Sequence, residues 1–376
     1  MSYHIGIATY IYNYNYGSAL QAYALTEYIC SLGYDASILD FMDMSLSQNR
    51  KMLFRTYKNR ILCSLTNPIR LFELLRRKHN SQRVVVETEP EKKTVFHKFY
   101  TESMKISKKN YLQQDSYNAF VCGSDQVWKL TVPGLHEFFF LRFAPAEKRI
   151  AYAPSFGSDY VPRYNRARLK KYINAFPSIS VREASGVEII KDVIGLEVPQ
   201  VLDPVLLVGC DFWREKYVQE QTWKKYILCY FLDENQTGIE LVRKIATDNH
   251  IDSILWIASG YAVPFATHKI FPSPIDLVQL IDEAAVVITD SFHCMAFSAL
   301  MNTDFYALNR MYKTSPEQAT RIDSFLHMYG FESRRIPGEQ VSPLNIDFSK
   351  CNQVFEKERE VSSRYLEDAL AKSVNR

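Results

Sequence analysis

Apolar positions recur along this chain in two periods. Short apolar runs that stop abruptly at small or polar residues alternate with stretches of helical spacing. In the first half, the runs at 3–9, 37–41, 117–122, 149–153, 179–181 and 198–202 predict strands. The spacing at 18–32, 164–176 and 184–193 predicts helices, the first capped by Ser18 and closed by Gly33. A second set follows, with strands at 226–231, 252–257, 284–288 and 305–308. Its helices are expected at 238–248, 275–281, 296–301 and 321–329, the last stopped at Gly330, before a charged helix at 355–371. Strand and helix in alternation predict an α/β fold with parallel sheets. Two such sets predict paired Rossmann-like domains facing a cleft: residues 1–205 and 206–345, hinged near Asp203-Pro204, with 346–376 packing back. Residues 45–110 break the alternation and read as a basic helical excursion, two short helices broken at Pro68 with Arg76-Arg77-Lys78 at the end of the second.

Composition sharpens this in three places. At 376 residues, two domains with real cores are expected. The net charge of +3 is too small to point to nucleic acid, yet residues 50–109 hold sixteen Lys/Arg against five Asp/Glu and leave the remainder acidic. That stretch is either a solvated helix face or a contact for an anionic membrane surface or lipid diphosphate. Seven scattered cysteines without CxxC argue against a disulfide framework and a zinc site, and favour a reduced, cytoplasmic interior. The first residues enter a strand without a signal-peptide pattern, and no window approaches a membrane span.

Ligands of open α/β sheets collect beyond the carboxyl ends of the strands, so the loops there carry the candidate chemistry. The first, IYNYNYGS, contains Asn15, Gly17 and Ser18 ahead of a helix. It is either a turn relieved by Gly17 or a ligand-facing loop whose helix N-terminus takes an anion; it lacks GxGxxG. The loop GSDQVW places Ser124, Asp125 and Gln126 after a strand, with Ser124 and Asp125 as helix caps, or Asp125 as acceptor ligand or base. Arg182 follows the strand at 179–181 and is a candidate anion fork, or a partner of Glu183 or Asp192. The loop TDSFH supplies Asp290, Ser291 and His293, with Asp290 either a cap or a base and His293 either a cap or a functional group. The eight histidines are dispersed and no carboxylate triad has ligand spacing, so neither a metal nor a cofactor is expected.

The ordered set NYNYGSALQAYAL, GSDQVW, RIAYAPSFG, ISVREASGVEII, VLDPVLL, ITDSFHCMAFSAL and RIDSFLHMYGF resembles the polysaccharide pyruvyl transferase family over 5–335. The resemblance implies a GT-B-like fold and transfer of a pyruvyl group from phosphoenolpyruvate to a sugar of a bacterial surface polysaccharide or its lipid-linked precursor. It implies an acceptor side in the first domain and a donor side in the second. By the same resemblance Arg182 and His293 hold the donor's phosphate and carboxylate; the proton transfers of ketal formation make His293 a candidate acid, or a phosphate ligand, and Asp125 or Asp290 a candidate base. Many members carry Arg directly before the histidine, where Phe292 stands here; a subgroup with SFH usually has Gly after the histidine, where Cys294 stands here. One cation is thereby missing, with Arg321, Arg310 and Lys313 as replacements. Competing readings are a GT-B glycosyltransferase using a nucleotide sugar, and a non-catalytic binding member of the family.

Overall fold

A computed structural model describes residues 3–42, 47–65, 89–111, 116–131, 134–217, 223–259, 262–309, 319–336 and 342–375. Among them, two parallel six-stranded sheets organise the chain. The first contains β1 (His4–Ala8), β2 (Asp35–Leu39), β3 (Ile106–Ser107), β4 (Ala119–Cys122), β5 (Arg149–Ala151) and β6 (Ser178–Ile179), in the order β3-β2-β1-β4-β5-β6. The second contains β7 (Tyr226–Tyr230), β8 (Ser253–Ile257), β9 (His268–Ile270), β10 (Val286–Thr289), β11 (Phe305–Leu308) and β12 (Arg335–Ile336), in the order β12-β11-β10-β7-β8-β9. Read from its own first strand, the second order repeats the first. Both are the doubly wound order of a Rossmann-like unit, which makes the chain GT-B-like.

The helices of the first half are α1 (Tyr16–Ser31), α2 (Ser47–Leu65), α3 (Pro90–Glu102), α4 (Arg163–Ile173), α5 (Ala184–Ile194), α6 (Pro204–Leu207) and α7 (Gly209–Arg214). Those of the second are α8 (Gln236–Asp248), α9 (Pro274–Asp282), α10 (Phe292–Met301), α11 (Ala319–Tyr329) and α12 (Ser349–Val374). Strands buried on both faces read as continuous apolar runs, as in YILCY of β7 and VVIT of β10, all of whose residues are buried. Helix α9 starts at a reciprocal capping box of Ser273 and Asp276, and Gly195 ends α5 in the left-handed conformation.

Several expectations are corrected. Helix α1 begins at Tyr16, and its cap is Asn15, whose side chain accepts from the Ser18 N–H; Ser18 lies inside the helix. Ser124 and Asp125 cap nothing, because a turn rather than a helix follows β4. The run at 198–202 joins no sheet and makes only a bridge between Val181 and Gln200. The basic excursion contains α2 and α3, but it also contributes β3 to the sheet edge beside β2. Pro68 and Arg76-Arg77-Lys78 lie outside the described residues.

The two halves are bound together around α1. Tyr16 sends its hydroxyl to the Pro272 carbonyl at 2.9 Å and packs edge-on against Tyr230 at 5.6 Å. Helix α12 crosses both halves: Tyr365 donates to the Ala151 carbonyl, Ser362 accepts from the Leu202 N–H, and Phe355 packs tilted against Tyr329. No helix among the described residues is long and apolar enough to cross a membrane.

Candidate functional site

A cavity of about 400 Å³ opens where the carboxyl ends of the two sheets face each other. Its first wall is Tyr10, Asn13, Asn15, Ser18, Asp125, Gln126 and Lys129. Its second is Leu232, Asp290, Ser291, Phe292, His293 and Ile322.

The first wall is a polar relay. Asn13 donates to the Ser18 hydroxyl at 3.0 Å, and Ser18 donates to Asp125 Oδ2 at 2.5 Å. Asp125 has φ +67°, a left-handed conformation tolerated by Asp, and its other oxygen accepts from the Gln126 N–H. Buried Gln21 sets the height of this loop. It donates to Thr9 and to the Ser18 carbonyl and accepts from the Ser124 N–H at 3.0 Å. Tyr10, whose phenol is pushed up by burial and then by the Asp125 charge, closes the back.

The second wall hangs on Asp203, which the sequence marks only as a turn. This carboxylate is buried. It accepts from the Ser124 hydroxyl at 3.1 Å and from Arg182 Nη1 at 2.7 Å, and it caps α6 through the Val205 N–H. His293 Nε2 stands 3.6 Å from the same Oδ2 that takes Arg182. Burial works against the Asp203 charge, but the His293 contact and the Arg182 charge hold its pKa far below the usual carboxylate range. On the other side of His293 is Gly17. A Cβ on Gly17 would fall 2.0 Å from His293 Nδ1, so this glycine serves close approach rather than a turn. The imidazole is therefore wedged between the start of α1 and the Asp203 carboxylate, with the Phe292 ring edge-on at 5.3 Å.

Arg182 departs furthest from the expected open anion fork. Its side chain is 3% exposed, and Nε lies 3.6 Å from Glu183. The Phe292 ring covers Cζ at 4.9 Å, and Nη2 has no hydrogen-bond partner. Burial opposes the guanidinium charge, yet Asp203, Glu183 and Asp125 together raise its pKa. It faces a second, more apolar cavity of about 390 Å³ with Leu202, Phe292, Phe325, Met328 and Tyr329. Two carboxylates already match its charge, and Phe292 separates it from the Asp125 cavity. The alternative partner Asp192 pairs with Arg166 instead, at 2.6 Å.

Asp290 is buried in backbone: its two oxygens accept from the Leu232 and Asp233 N–H groups at 2.7 and 3.0 Å and pin the loop after β7. Ser291 is the N-cap of α10 without a side-chain cap bond, and donates its N–H to Thr289. Arg321 sits in α11, with its side chain outside the described residues, as are Arg310 and Lys313. The structure thus gathers Asn15, Ser18, Asp125, Gln126, Asp290, Ser291 and His293 around one cavity, puts Gly17 behind His293 and Ser124 behind Asp125, and sets Arg182 behind Phe292. Sequence reading missed Asp203, Gln21 and the cavity cation Lys129, although LDP, ALQA and QVWK all adjoin strand-end motifs. Among the described residues no group of three His, Cys, Asp or Glu has the geometry to hold a metal ion.

Compared with solved structures, the chain is similar to a UDP-GlcNAc 2-epimerase from Neisseria meningitidis bound to UDP-GlcNAc. The two share 10% identity at TM-score 0.46, over 99% of this chain and 100% of the other. It is also similar to the E. coli heptosyltransferase WaaC with ADP, with 14% identity at TM-score 0.38, over 94% and 99% of the two chains. No curated protein sequence matches it. Residues 15–310, from the Asn15 cap through the Arg182–Asp203 pair to the loop beyond β11, match the polysaccharide pyruvyl transferase family, and the chain belongs to that family.

Proposed function

We propose that this transferase moves the pyruvyl group of phosphoenolpyruvate onto two neighbouring hydroxyls of a sugar, forming a cyclic ketal. The acceptor is a bacterial surface polysaccharide or its lipid-linked precursor, met on the cytoplasmic side of the membrane. The observation that carries the reading is one cavity holding a hydroxyl-linked carboxylate, Ser18–Asp125, opposite an imidazole packed between Gly17 and Asp203, His293.

In this mechanism His293 donates a proton to the methylene carbon of the donor after its Nε2, which faces Asp203 at 3.6 Å, turns into the cavity, leaving an oxocarbenium-like centre at C2. A sugar hydroxyl adds there as Asp125 takes its proton. The C2–O bond to phosphate then breaks, phosphate leaves with the electron pair, and the second hydroxyl closes the ring with loss of its proton. One hydroxyl proton is regained by the base–acid pair and the other leaves with phosphate, so sugar and phosphoenolpyruvate give ketal and inorganic phosphate. Asn15 and Gln126 orient the acceptor. Lys129, the Ser291 hydroxyl and the N-terminal N–H groups of α10 meet the donor's anionic groups. Arg182 positions Asp203 and through it His293, and its Nη2 reaches a donor oxygen only when Phe292 moves aside. Asp290 is the second base candidate, with its loop-holding bonds as its other duty.

Phosphoenolpyruvate should raise the melting temperature by mass action, and release phosphate when a panel of sugar acceptors is added. Asp125→Asn should lower kcat by about 10²- to 10⁴-fold, the usual contribution of a general base, while keeping the thermal shift. His293→Ala should lose both. A shift with nucleotide sugars and none with phosphoenolpyruvate would transfer the chain to a glycosyl donor and end this reading. Donor binding with no phosphate release from any acceptor would leave a binding member of the family.

A further inference from the structure

We propose that the outer face of α2, widened by α4, docks this protein on the anionic surface of a lipid bilayer. The proposal rests on surface chemistry alone and stands whether or not the donor is phosphoenolpyruvate.

Helix α2 lies flat on the first half. Met52 and Thr56 are buried beneath it, and the loop at Gly134 packs so closely that a Cβ there would fall 2.8 Å from the Arg60 nitrogen. The opposite face is apolar and open. Phe54, Tyr57 and Ile61, at i, i+3 and i+7, form one ridge and are 71%, 59% and 61% exposed. A folded protein gains nothing in water from holding such a row outward.

Charge decides what covers it. Helix α2 carries Arg50, Lys51, Arg55, Lys58 and Arg60, and no acidic residue. Helix α4, joined to it by a 3.3 Å bond from Arg168 to Asn59, carries five more Lys or Arg and again no acid. Of these, Arg55 leans on Glu137 and Arg166 on Asp192. Arg50, Lys51 and Lys58 stand exposed beside the ridge. An exposed row of aromatic and aliphatic tips flanked by long basic side chains is the pattern of a helix lying in the headgroup region. There the tips enter the acyl boundary and the cations meet lipid phosphates. Helix α2 follows β2, on the carboxyl-end side of the sheet where the cavity opens.

The test is co-sedimentation of the full chain with vesicles of phosphatidylglycerol mixed into phosphatidylcholine, against phosphatidylcholine alone, at low and high salt. Wild type is expected to bind the anionic vesicles only, and to be released by salt. Lys51→Glu/Lys58→Glu should weaken binding by roughly twentyfold or more, since each cation near the surface is worth about fivefold. Phe54→Ser/Ile61→Ser should weaken it by roughly tenfold, with the melting temperature unchanged because both residues are exposed. Equal binding to neutral vesicles, or no effect of the apolar pair, overturns the proposal. So does tighter binding to duplex DNA than to vesicles. Self-association of wild type in sedimentation velocity that the apolar pair abolishes would assign the ridge to a second copy of this chain instead.

Discussion

Asp203→Asn is expected to remove about 3–5 kcal/mol of unfolding free energy and to cut turnover about a hundredfold. The stability loss follows from what remains. Arg182 is left buried with only the 3.6 Å contact to Glu183, and breaking one partner of a buried pair carries the cost of the orphaned charge. The activity loss follows from His293, which faces Asp203 at 3.6 Å and would lose the group that orients it. Urea unfolding and phosphate release measure the two effects separately. The pair also sets an acid limit. Its folded pKa is lowered from 3.8, so the stability it contributes is fully present above that value. It is lost as pH falls from there towards the folded pKa, and Asp203→Asn should flatten that acid limb. A double variant, Arg182→Met with Asp203→Leu, should recover most of the stability and none of the activity. An Asp203→Asn protein within about 1 kcal/mol of wild type would mean that Arg182 finds another counter-ion and that Asp203 is not the hub of the site.

Gly17→Ala is expected to abolish most activity without harming the fold. The added methyl would sit 2.0 Å from His293 Nδ1, so the imidazole must leave its place, and a displacement of about 1 Å at a reacting group costs about 10²-fold. The helix itself favours the change, since alanine exceeds glycine in helix preference by about 1 kcal/mol. The diagnostic measurement is the same substitution in a His293→Ala background. There the obstruction is gone, and Gly17→Ala should be neutral or stabilising by up to about 1 kcal/mol in thermal unfolding. A Gly17→Ala enzyme with wild-type kcat would show that His293 need not occupy this position for catalysis.

Gly17 and His293 both lie in loops or helix starts that the strand-end rule selects, so each is visible as a candidate. Their contact is not, because it joins residues 276 positions apart through the packing of two halves. Arg182 behaves the same way. Its place after a strand is legible, but Phe292 lies over its guanidinium and Asp203 pairs with it, so it faces away from the Asp125 cavity. Short edge strands such as β3, β9 and β12 are equally invisible: a few residues become strand only when a neighbour offers its unpaired backbone groups. The converse holds at 198–202, where an apolar run of strand character finds a single bridge.

By itself, then, the order of amino acids determined the alternation of buried strand and amphipathic helix, the parallel doubly wound halves, and the loops where chemistry collects. These depend on periodicity and local backbone chemistry, which are written within a few residues of each other. Tertiary structure alone decided that Asp203 is the hub, that Asp290 is bound up in backbone N–H groups, and that the apolar tips of α2 face outward. Each of those rests on which distant charges and surfaces meet, and electrostatic pairing and burial act through space rather than along the chain.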